Sequence, residues 1–81
     1  MLIKIKVFAS LRDITGTGNL ELNLPEGSTT ETLISELMRQ FPGLLPFNGV
    51  FRIAVNQEYT AETLLLHDRD EVALIPPTSG G

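Results

Sequence analysis

The sequence has no cysteine and no tryptophan, and its 81 residues include a single histidine, His67. Disulfides and cysteine-ligated metal or iron–sulfur clusters are therefore excluded, and one histidine leaves no His cluster for a metal. Any sulfur chemistry must use a group other than a thiol. Cations are also scarce: six Lys and Arg stand against ten Asp and Glu, a net charge of −4. That balance argues against a nucleic-acid module, which would carry a basic face, and it fits docking on a more basic protein surface. No stretch approaches the roughly 20 continuous apolar residues of a membrane span. Met1-Leu2-Ile3-Lys4 alternates instead of forming a signal peptide, so the expected location is the cytoplasm, away from membranes. At this length one hydrophobic core, and so one domain, is expected.

What is present is alternation. From Leu2 to Ala9, Ile3, Ile5 and Val7 share one face and Lys4, Lys6 and Phe8 the other, which predicts a half-buried strand. Ser10 is placed to cap a short turn, Leu11 to Thr15, that Gly16 would stop. Asn19 to Leu24 predicts a second strand with Leu20, Leu22 and Leu24 inward, broken by Pro25-Glu26-Gly27. Ser28-Thr29-Thr30-Glu31 reads as a capping box between Ser28 and Glu31. Leu33, Ile34, Leu37, Met38 and Phe41 then recur at helical spacing as a core stripe, and Pro42-Gly43 ends this one long helix. Leu44 to Gly49 reads as an apolar loop folding back over the helix end. Val50 to Val55 predicts a third strand with Phe51, Ile53 and Val55 inward and Arg52 and Ala54 outward. Asn56-Gln57 is a turn, Glu58-Tyr59-Thr60 a short edge strand, and His67 to Asp70 a tight turn into the last strand, Glu71 to Ile75.

One helix covers only one face of a four- or five-stranded sheet. The expected class is α+β, a mixed sheet gripping one main helix, the β-grasp or ubiquitin-like architecture, over residues 1–75. Residues 76–81 are expected to form a flexible Gly-Gly tail. First and last strands are neighbours in this architecture, so outward-facing Phe8 and Ile75 would meet at the root of the tail. Ala73 points the same way, and Tyr59 joins from the edge. Scattered apolar residues are ordinary on protein surfaces; these converge on one place, where a partner could be anchored.

The tail itself, Pro76-Pro77-Thr78-Ser79-Gly80-Gly81, has a consistent chemistry. The prolines fix φ and direct the chain out of the sheet. Thr78 and Ser79 keep the strip polar without bulk. Gly80 and Gly81 lack a Cβ and can pass a narrow channel. The four residues beyond Pro77 reach roughly 13–14 Å when extended. A terminal carboxylate is ionised and a poor electrophile. As a mixed anhydride with AMP it gains a leaving group, and it can then accept a sulfur nucleophile to give a thiocarboxylate or a lysine amine to give an amide. A frayed terminus is the bland alternative; the strand and Pro-Pro pair that lead into the tail argue against it.

Three runs carry a resemblance across essentially the whole chain: Val7 to Gly16, Ala54 to Gln57, and Asp70 to Gly81 with its Asp-Glu-Val-Ala and Pro-Pro-x-Ser-Gly-Gly signature. The sequence resembles the MoaD family of β-grasp sulfur carriers, the small subunits of molybdopterin synthase. One departure is Arg69, where the family usually has glycine between two aspartates. The resemblance implies that an ATP-dependent, E1-like partner adenylates Gly81 and that a sulfur donor converts it to a thiocarboxylate. It implies that the tail enters the large catalytic subunit of molybdopterin synthase, in a heterotetramer. There sulfur passes to cyclic pyranopterin monophosphate to build molybdopterin. On this reading the chain binds no cofactor, and ATP is consumed by the activating partner. Phe8, Tyr59 and Ile75 match the family's apolar docking surface, leading into Pro76 and Pro77, and Arg12 is either a charged contact there or a solvated turn residue. A protein modifier joined through Gly81 to lysines, a sulfur carrier for thiamine synthesis or RNA thiolation, and an interaction domain with an inert tail remain alternatives.

Overall fold

The alternating N-terminal residues form β1 (Leu2–Val7), with Ile3, Ile5 and Val7 fully buried on one face and Lys4 and Lys6 exposed on the other. The structure, a computed structural model, describes residues 1–77. After β1 come a short helix α1 (Leu11–Thr15), β2 (Asn19–Asn23), the main helix α2 (Thr30–Gln40), a 3-10 helix (Pro42–Phe47), β3 (Arg52–Val55), β4 (Glu58–Thr60) and β5 (Glu71–Ile75). The five strands form one sheet in the order β2-β1-β5-β3-β4. Only the β1–β5 pair is parallel; β1–β2, β3–β5 and β3–β4 are antiparallel. Leu33, Leu37 and Met38 of α2 pack into a single core with Ile3, Ile5, Val7, Val72 and Leu74. This is the β-grasp fold, with the helix on one sheet face only. Among the described residues no helix is long and apolar enough to cross a membrane.

Several local expectations shift. The capping box sits one residue later than Ser28 and Glu31 would place it. Thr29 is the N-cap, its hydroxyl accepting from the Thr32 amide at 3.3 Å while the Thr32 hydroxyl accepts from the Thr29 amide at 3.2 Å. The Ser28 hydroxyl is committed elsewhere, donating to the Pro25 carbonyl at 2.7 Å, and its carbonyl accepts from the Leu66 amide. Ser10 precedes α1 but makes no side-chain cap, whereas Gly16 closes that helix at φ 78°. The apolar stretch after α2 is a 3-10 helix that buries Leu44. β3 begins at Arg52 because Asn48 to Phe51 is drawn into a turn, with the Val50 and Phe51 amides both bonding the Phe47 carbonyl.

The turn before β5 ties the sheet together. The Asp68 carboxylate accepts from the Leu2 amide at 2.7 Å, and the Arg69 amide donates to the Leu2 carbonyl. One Asp70 oxygen accepts from the His67 amide and the other from the Asn56 side chain, whose own oxygen accepts from the Glu71 amide. The two aspartates that flank Arg69 are thus structural: they fix where β5 enters between β1 and β3. Arg69 adopts φ 69°, the left-handed conformation that a glycine would take without strain.

Candidate functional site

Register decides which side chains share the uncovered sheet face. Lys6 lies opposite Ala73, Val7 opposite Leu74, Ala54 opposite both Ala73 and Tyr59, and Arg52 opposite Ile75. The Phe8 amide donates to the Leu74 carbonyl, continuing the β1–β5 pairing one residue further and setting Phe8 beside Ile75. Strands in a sheet lie about 4.8 Å apart, so Phe8, Ile75 and Arg52 form one row across three strands.

A shallow groove of about 270 Å³ lies on this face, with Phe8, Tyr59 and Ile75 on its walls and Ala54 and Ala73 between them. Phe8 is 44% exposed and Tyr59 65%, large values for aromatic side chains. Ala54 points outward but is buried, because its small side chain lies among the larger ones of the groove. A wider groove of about 560 Å³ lies alongside, and Tyr59 borders both. The Arg52 guanidinium carbon stands 5.9 Å from the centroid of the Tyr59 ring, within cation–π range. At the opposite end Lys6 pairs with Glu71 at 3.7 Å.

β5 therefore runs past the groove and delivers the chain to Pro76, half-buried, and Pro77, exposed. Thr78, Ser79, Gly80 and Gly81, the reactive end expected from the sequence, lie outside the described residues. Phe8, Tyr59, Ile75 and Pro76 are brought to one place. Arg12 is not: it does not line the groove, and its guanidinium lies against Gly18, where a Cβ would come within 2.9 Å of its Nε. Arg52 is the residue that the sequence reading placed outward without assigning it to the site; its alternation with Phe51 and Ile53 was the available signal. Away from this face, on α2, hydrogen bonds from Arg39 and then Gln40 lower the pKa of the Glu36 carboxyl to about 2.

An apolar patch at the root of a tail, on an otherwise open β-grasp sheet, is the arrangement to set beside known proteins. The model of the ThiS family matches residues 5–81. The chain belongs to the ThiS family. A curated relative from Arabidopsis thaliana, named molybdopterin synthase sulfur carrier subunit, is 43% identical over 79 residues, spanning 98% of this chain and 82% of the relative. Among solved structures, SAMP1 from Haloferax volcanii superposes with a TM-score of 0.88 at 25% identity over 100% of both chains. The small archaeal modifier protein 1 from Methanosarcina acetivorans gives 0.81 at 29% identity, over 99% of this chain and 96% of that one. In this ThiS-family chain the Asp70-to-Pro77 run forms the latch turn, the central strand and the tail root as one continuous piece.

Proposed function

We propose that this chain is the sulfur carrier subunit of a molybdopterin synthase, with the Gly81 carboxylate as the carrier group. The reading is carried by the gathering of Phe8, Tyr59 and Ile75 where β5 runs into the tail, which gives a partner a grip beside the reactive end. The name of the Arabidopsis relative supports it. The chemistry divides into two steps before delivery. A Gly81 carboxylate oxygen attacks the α-phosphorus of ATP on an E1-like partner, and pyrophosphate leaves. Sulfide (HS⁻) supplied by a donor then attacks the acyl carbon and AMP leaves with loss of a proton, giving a thiocarboxylate. The tail next enters the large subunit, and the sulfur passes to cyclic pyranopterin monophosphate. The chain contributes the carried group and the docking face, and ATP is bound and consumed by the activating partner. The cytoplasm, as the site of this pathway, belongs to the same proposal.

Intact mass of the full chain after incubation with ATP, the activating partner and a sulfur donor should rise by about 16 Da as oxygen is replaced by sulfur, a covalent change of terminal chemistry. Deleting Gly81 should abolish both the shift and molybdopterin formation with the fold intact. Molybdopterin formed at the normal rate by the deletion variant would end the proposal. A second reading is favoured by the likeness to the archaeal modifier proteins: Gly81 joined to lysine side chains. Lysine-linked adducts in place of the thiocarboxylate would select it.

A further inference from the structure

Arg52 is the charged side chain in the row that ends at the tail root, and apolar docking gives it no task. Among the described residues Lys6 is paired with Glu71, Arg39 with Glu36, and Arg69 stands 3.9 Å from Asp68, whereas no carboxylate pairs with Lys4, Arg12 or Arg52, and of these three Arg52 is the one beside Ile75 and Tyr59. Its contact is the Tyr59 ring. Stacking on an aromatic face restrains the side chain while leaving the edge of its planar fork of N–H donors open, the geometry that meets a carboxylate with two parallel bonds. A partner that covers Phe8, Ile75 and Tyr59 also covers Arg52, which stands opposite one and against another. Covering a guanidinium without an opposite charge is costly; covering it with one is tolerated and specific.

Resting on the reading of this face as the docking surface, we infer that the large-subunit surface seating Phe8, Tyr59 and Ile75 presents a carboxylate to Arg52. The contact face of the partner is then acidic, the opposite of what a net charge of −4 suggests. The difference lies in distribution. The outer sheet face carries Lys4, Lys6 and Arg52 against Glu21 and Glu71, with Glu71 engaged by Lys6 and Glu21 opposite Lys4, so the excess negative charge lies elsewhere on the molecule.

The test uses the full chain and the purified large subunit from the same organism, with association and dissociation rates measured at about 50 mM and about 300 mM NaCl. Arg52→Glu should weaken binding about tenfold or more at the lower salt, largely through the association rate, and the deficit should shrink at the higher salt. Arg52→Lys should recover only part, because an ammonium cannot make the two-pronged contact. Replacing one contact-face Asp or Glu of the large subunit by Lys should restore binding of the Arg52→Glu chain. Thermal unfolding of Arg52→Glu should match that of the unmodified chain, since the side chain is exposed. Unchanged binding of Arg52→Glu at both salts, with binding lost in Phe8→Asp, overturns the acidic contact and leaves the docking face standing. Failure of the unmodified chain to bind the large subunit at either salt overturns both.

Discussion

Arg69 holds a left-handed backbone in the turn that latches β5, its amide bonded to the Leu2 carbonyl at 2.7 Å. Such a conformation costs a residue with a Cβ of order 1 kcal/mol, while glycine gives up about 0.4–1 kcal/mol through its freer unfolded chain. The two nearly cancel with a bias toward relief of strain. Arg69→Gly should therefore leave the denaturant midpoint unchanged or raise stability by up to about 1 kcal/mol, unlike most glycine substitutions. A clear loss would mean that the exposed pairing with Asp68 contributes more than its separation suggests. The sequence marked this position as unusual and did not say why. Likewise, Ser28-Thr29-Thr30 offers three successive hydroxyls to one helix start. Which of them caps depends on where the Ser28 hydroxyl and carbonyl find partners, and those partners, Pro25 and Leu66, come from other segments.

For the elements, local chemistry and long-range pairing divide the labour. α2 starts at the Thr29–Thr32 box, ends with Phe41 bonded back to Leu37, and owes its place to the buried Leu33 and Leu37. Thr29→Ala should cost about 1 kcal/mol, read as a lower denaturant midpoint with an unchanged slope. The strands were legible because alternation is a direct consequence of half-burial: β5 lies where it puts it, β2 ends one residue earlier at Asn23, and β1 ends two residues earlier at Val7. The 3-10 helix was not legible: Pro42-Gly43-Leu44-Leu45-Pro46 has no period and carries two prolines, which read as loop. The start of β3 was misplaced because a turn at Phe47 draws in residues whose side chains alone look strand-like.

For the molecule as a whole, the two faces of the sheet have different work. One is spent on the core with α2, and the other gathers Phe8, Tyr59 and Ile75 without burying them. Phe8→Asp should leave the unfolding transition nearly unchanged, since the side chain is already 44% exposed, while binding to the large subunit falls sharply. Unfolding of that variant would show Phe8 to be part of the core. The convergence of the patch on the tail root was legible, because the β-grasp architecture expected from the order of elements sets the first and last strands side by side, as β1 and β5 are. The charge arrangement was not: composition gives a total, and only register shows that Arg52 stands opposite Ile75 while Glu71 is already paired with Lys6. The position of β5 has one more consequence. It is the middle strand, parallel to β1 and hydrogen-bonded on both sides, through Lys4 to Val7 on one flank and Arg52 to Val55 on the other. A pull on the tail runs along β5 and loads both ladders in shear, so their bonds must yield together and not peel one at a time. A partner can hold the tail under tension without unravelling the domain that presents it.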